Sequence, residues 1–188
     1  MRENIPQPNV RRTSLWWYRR PGVVYFFGAG NKAIKIGVTT IFDRNKKRDN
    51  TLDDDDRPND LKDEELEDFD LNTFDPAKYP DLKEQRLIEG VRACILQRHK
   101  QIQSSNHETI TLLGVIPFLD GELPARRAEL CERKLHIHFA DLQRFEPHTS
   151  GAEWFNRGTE LLEYIEKHSC RPEKLSIERT VIGKQINR

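Results

Sequence analysis

Cleaving a phosphodiester requires a group at the attacking water, positive charge against the oxygens of the pentavalent phosphorus, and help for the departing oxygen. Residues of each kind stand in this chain. Glu132 is a carboxylate that could hold one Mg2+ or Mn2+ through oxygen, because magnesium keeps several waters and takes only one or two carboxylates from a protein. Tyr25 lies mid-run in Val23-Val24-Tyr25-Phe26-Phe27. A free phenol titrates near pH ~10, so base work there needs a nearby cation. Lys35, on the strand expected to pair with this run, supplies one or touches the phosphate itself. Arg92 carries the planar fork that clamps phosphate with two parallel hydrogen bonds. Each residue has a plainer structural reading: a surface glutamate, a packed ring, an exposed strand lysine, and an arginine paired along its helix with Glu89. His136 and His138 are two residues apart, which on a helix sends them to different faces and argues against a shared zinc site. Arg11, Arg12, Arg19 and Arg20 are interleaved with Trp16, Trp17 and Tyr18. That mix suits stacking on bases and pairing with phosphates, and equally an arm whose tryptophans pack on the domain.

These groups must be positioned by a small set of elements. Val23–Phe27 reads as a buried strand, Gly28-Ala29-Gly30-Asn31 as a turn, and Ala33–Val38 as the returning strand of an antiparallel hairpin. Asp81–Gln103 has apolar residues near one helical face, at Leu82, Leu87 or Ile88, Val91, Ile95 and Ile102. Thr109–Ile116 is a third strand, expected to stop at Pro117, and a second helix falls within Leu123–Leu142. Trp154-Phe155 is expected to close the core, followed by a third helix over Thr159–His168 and a polar tail, 169–188, with a strand near Leu175–Ile182. The expected class is α+β: one domain over residues 21–168, with a three-stranded antiparallel sheet flanked by helices and an arm at 1–20.

Charge is distributed unevenly. Residues 1–48 hold 11 Lys/Arg against 2 Asp/Glu, whereas residues 49–85 hold 4 against 15, so a formal net charge of zero conceals a cationic body and an acidic block. Such a body suits a polyanion, most simply nucleic acid, and the acidic block could mimic DNA and shield the cationic face. Between 45 and 80 there is no hydrophobic period, and Pro58, Pro76 and Pro80 interrupt any helix. The stretch reads as a disordered insertion with at most a short helix near Leu61–Phe69. No run of about 18 apolar residues is present, Met1–Arg20 contains no secretory apolar core, and the three cysteines are scattered. The expectation is a cytoplasmic protein with reduced thiols and no membrane partner.

Several short motifs in this order resemble the GIY-YIG nuclease superfamily, in particular its phage- and bacteria-associated branch. They are Val24-Tyr25-Phe26, Lys35-Ile36-Gly37, Arg92 with Leu96-Gln97, and Leu112-Leu113-Gly114. Glu132, Leu135, His136 and Phe139 follow, and then Ala152-Glu153-Trp154-Phe155. The resemblance spans residues 23–156 with the insertion set aside. It implies a metal-dependent endonuclease of mobile-element, restriction or defence type that hydrolyses DNA, acting as a homodimer if both strands are cut. It gives Tyr25 a place at the attacking water, makes Glu132 the ligand of one Mg2+ or Mn2+, and places His136 at proton transfer or the phosphate. Asn156 corresponds to a late bracing asparagine. Two departures stand out. Lys35 replaces the second tyrosine, and the arginine after the glycine motif is displaced, leaving Arg92 as the preferred candidate and Arg44 in reserve. Those departures favour the alternative of a catalytically weak or inactive nucleic-acid-binding protein on the same fold.

Overall fold

The hairpin forms as its sequence dictates. In the computed structural model, which describes residues 18–41, 66–67, 69–75, 85–146, 149 and 151–177, β1 (Gly22–Ala29) and β2 (Ala33–Thr40) pair antiparallel in unbroken register. The turn between them uses Gly30 at φ +51°, a left-handed conformation that costs glycine least. β3 (Ile110–Phe118) pairs on the other side of β1, with a bulge opposite Phe26/Phe27. It runs through Pro117 instead of ending there. The strand order β3-β1-β2-β4 makes β3 an edge, where a missing N–H can face away from the ladder.

The sheet has four strands, not three. The addition is β4 (Trp154–Asn156), which pairs with Ala33, Ile34 and Lys35 of β2. Three residues give too short a run to show alternation, so the aromatic pair expected to close the core does so from within the sheet, with Phe155 fully buried.

Strand alternation divides the side chains of β1 between two faces. Val23, Tyr25 and Phe27 share one face with α1 (Gln85–Ser104), whose buried His99 lies 5.8 Å from the Phe27 ring. Gly22, Val24 and Phe26 turn to the other face, which is covered by α2 (Pro124–His138) and α3 (Thr159–His168). The approach of α2 is close: a Cβ on Gly22 would lie 2.7 Å from the Ala128 Cβ. α3 follows the same face, with Tyr164 6.5 Å from Phe26.

Two segments expected to be loose contribute to the core. Leu66 and Phe74, from the acidic stretch, are buried, and Phe69 lies 6.5 Å from Phe118. Lys134 Nζ donates to Leu66 O at 2.6 Å and Glu67 O at 3.2 Å, and the Tyr164 hydroxyl donates to Leu71 O at 3.1 Å. Within that stretch, residues 45–65, 68 and 76–80 lie outside the described residues. Past α3, Cys170 bridges to Val115, and Pro172–Leu175 forms a 3-10 turn where a strand was expected to begin at Leu175. Cys170, Leu175 and Ile177 are buried, so this part of the expected tail is core. All three cysteines are free, and burial, aided by the charge of Glu132, pushes the Cys131 thiol up to about 12. No helix among the described residues is long and apolar enough to cross a membrane.

Candidate active site

Tyr25 approaches the site from the middle of the sheet. Its partner on β2 is Gly37, and the phenol lies across that residue. A Cβ on Gly37 would fall 2.5 Å from the phenol oxygen, 2.6 Å from Cζ and 2.9 Å from Cε2. The glycine of Lys35-Ile36-Gly37 is therefore the space the tyrosine fills. The ring is 4% exposed, packs 5.0 Å from Phe27, and carries its oxygen over β2 toward that strand's outer edge.

The outer edge is only half covered by β4. Beyond the last strand pair, Ile36 N–H still donates to Glu153 O at 3.0 Å. The Ile36 carbonyl is taken by a side chain instead: His136 Nε2 lies 3.3 Å away. His136 belongs to α2 on the opposite face and stands edge-on to Phe155 at 5.0 Å. One helical turn earlier, Glu132 places Oε1 3.5 Å from the same Nε2.

Both partners of Nε2 are acceptors, so this nitrogen carries the hydrogen, and Nδ1 is the bare nitrogen of the neutral ring. Burial, with help from the charge of Lys35, holds the imidazole below its ordinary pKa. The hydrogen bond to Ile36 and the charge of Glu153 pull the other way without reversing the shift. His136 is neutral near pH 7.

Tyr25 from one face and His136 with Glu132 from the other thus meet at two consecutive residues of β2. Their contacts with Gly37 and Ile36 hold the phenol oxygen and Nε2 within about 10 Å of each other. Lys35, on the Tyr25 side, has a side chain only 12% exposed. Its ammonium pairs with the Glu153 carboxylate and lies 5.6 Å from the centre of the Trp154 ring. Sequence reasoning assigned Glu153 no task. The available signal was the strand character of Trp154-Phe155, which sets the preceding residue beside Lys35 and Ile36.

Other expected residues lie elsewhere. Arg92 is exposed on α1. Cys94, about 200° further round that helix, donates to Thr40 O at 3.2 Å; Arg92 therefore faces away from the C-terminal end of β2. Sharing a helix side with exposed Leu96 is what its spacing predicts, but that side is turned outward. Asn156 pairs with Ala33, four residues and about 13 Å along β2 from Gly37, and is exposed. Arg19 is exposed, whereas Arg20 is half-buried, and burial lowers the pKa of its guanidinium. Arg20 adjoins Pro21, whose carbonyl accepts from Ile41 N, at the end of the hairpin three residues beyond Gly37. Tyr18 packs beneath Arg126 at 5.0 Å, while Trp16 and Trp17 lie outside the described residues. Arg11, Arg12 and Arg44 lie outside the described residues. His138 turns away from His136, to Glu160 at 3.8 Å.

Among the described residues, no group of three or more His, Cys, Asp or Glu forms a metal cage. A single-carboxylate magnesium site needs none. Glu132, an oxygen donor steadied by His136, fits that mode. The chain matches no protein-family model, no curated protein and no solved structure.

Proposed function

We propose that this chain is a metal-dependent endonuclease of GIY-YIG type that hydrolyses DNA phosphodiester bonds. The observation that carries the reading is the meeting of Tyr25, His136 and Glu132 on Ile36 and Gly37, residues of one strand approached from both faces. Tyr25 orients the attacking water through its phenol oxygen. His136, neutral with Nδ1 bare, accepts the proton that water loses as its oxygen bonds to phosphorus; the phosphorus–sugar oxygen bond breaks and the departing oxygen takes a proton from solvent water. Lys35 supplies positive charge to the phosphate oxygens. Glu132 would hold Mg2+ or Mn2+, and the bound ion supplies charge stabilisation to the same oxygens.

A plasmid-nicking assay with Mg2+ and with Mn2+ tests this. The full chain should nick, and Glu132→Gln should nick at least about 100-fold more slowly with an unchanged melting temperature. A wild-type chain that nicks with neither ion sinks the proposal.

Two observations favour the second reading, a nucleic-acid-binding protein without cleavage. Lys35 is already neutralised by Glu153, and Arg92 faces away from the C-terminal end of β2. Salt-sensitive retention of DNA with no nicking selects it.

A further inference from the structure

The pairing of Lys35 with Glu153 is asymmetric. The lysine side chain is 12% exposed and that of the glutamate 47%, so the cation lies inside and the carboxylate covers it from the solvent side. A shielded ammonium needs a counter-charge, and an anion arriving from solvent meets Glu153 first. The backbone at 153 is fixed independently of its side chain, because Glu153 O accepts Ile36 N–H and Trp154 pairs with Lys35. The carboxylate can therefore swing outward without disturbing the strand. What remains with the ammonium is the Trp154 ring at 5.6 Å, a face that holds a cation without neutralising it.

We propose that Glu153 is a displaceable internal counter-ion, occupying on Lys35 the seat that a phosphate oxygen of the substrate takes when it binds. The exchange replaces one singly charged oxygen anion by another, so the local charge is conserved when a diester enters. An ammonium is a point charge with rotatable donors and accepts either partner, which a rigid guanidinium fork would do less readily. This deepens the phosphodiester reading and rests on it for the identity of the anion.

The test uses the full chain with inorganic phosphate and with a short DNA duplex, and reads affinity, not cleavage. Glu153→Gln keeps the shape and removes the charge. It should bind both probes about five-fold more tightly than wild type, the order expected when a half-exposed ion pair no longer has to be broken. On a Lys35→Met background the same substitution should give no gain. Glu153→Asp keeps the net charge but shortens the reach to Lys35, and should show an intermediate gain. The proposal is overturned if Glu153→Gln binds no more tightly than wild type. It is equally overturned if the gain persists on the Lys35→Met background, which would make it a long-range charge effect. Because nicking is scored separately, a chain that binds as described and cuts nothing refutes the nuclease reading and leaves the exchange intact.

Discussion

Gly37→Ala is the most direct probe of how the site is built. The new Cβ would stand 2.5 Å from the Tyr25 oxygen and 2.6 Å from Cζ, where even 3.0 Å is essentially never seen for a real Cβ. The obstacle is a rigid ring, 4% exposed and packed 5.0 Å from Phe27, so it has little room to tilt. Overpacking of this kind costs about 1–3 kcal/mol. The backbone at Gly37 has ordinary negative φ, so alanine recovers the ~0.5–1 kcal/mol that glycine forfeits within a strand. The net expectation is a loss of about 1–2 kcal/mol, or a fall of about 2–8 °C in Tm for a chain this long. Urea unfolding of a double-mutant cycle checks the cause. Leucine at position 25 has no atom at the ring's far end, so in the Tyr25→Leu background Gly37→Ala should become neutral or mildly stabilising. An equal loss in both backgrounds would refute the claim that the tyrosine occupies the space left by the glycine.

The remaining expectations concern stability. His99, His136 and His168 are each held below the ordinary histidine range, in every case chiefly by burial. Below about pH 6.5 the unfolded chain therefore takes up protons that the folded chain refuses. Stability should be full above that value and fall as pH drops through it toward the lowered folded values; a urea midpoint that is flat or rises on acidification contradicts this. Lys134→Met removes the donor that holds Leu66 O and Glu67 O. It should cost about 1–2 kcal/mol and speed hydrogen exchange at Phe69 and Leu71. Unchanged exchange there would show that the Lys134 hydrogen bonds do not hold the acidic stretch.

Legibility in the sequence followed hydrophobic periodicity. The β1–β2 hairpin and α3 could be read to within two or three residues because their apolar patterns are long and unbroken. β4 was not read as a strand because three residues carry no period, and its stability comes from β2 on one side and Gln143 on the other. Leu66, Phe69, Leu71 and Phe74 are spaced irregularly among acids, and only tertiary contacts with Phe118, Lys134 and Tyr164 give them a place. Pro117 suggested a strand end because sequence does not disclose which strand is an edge. At the site, Tyr25, Lys35, Glu132 and His136 were picked out by their motifs. Glu153 stood in a motif but carried no task, because its role depends on a cross-strand neighbour that shows only once Trp154-Phe155 is paired with β2.

The shortness of β4 is what leaves the Ile36 carbonyl to a side chain. Were β4 extended by even one pair toward its N-terminus, the Ile36 carbonyl would receive a backbone N–H and the outer edge of β2 would be sealed. His136 would lose its acceptor. Instead the chain turns away before Trp154, with Ala152 N donating to Thr149 O and Trp154 N to Gly151 O. The Gln143 side chain donates to Ala152 O at 2.7 Å and pins that turn. Sheet coverage therefore ends between Lys35 and Gly37, where His136 of α2 reaches backbone next to the residue that supports Tyr25 from the opposite face. The proposed chemistry at this edge depends on leaving one carbonyl of the ladder to a side chain, a backbone vacancy that a fully paired strand would have closed.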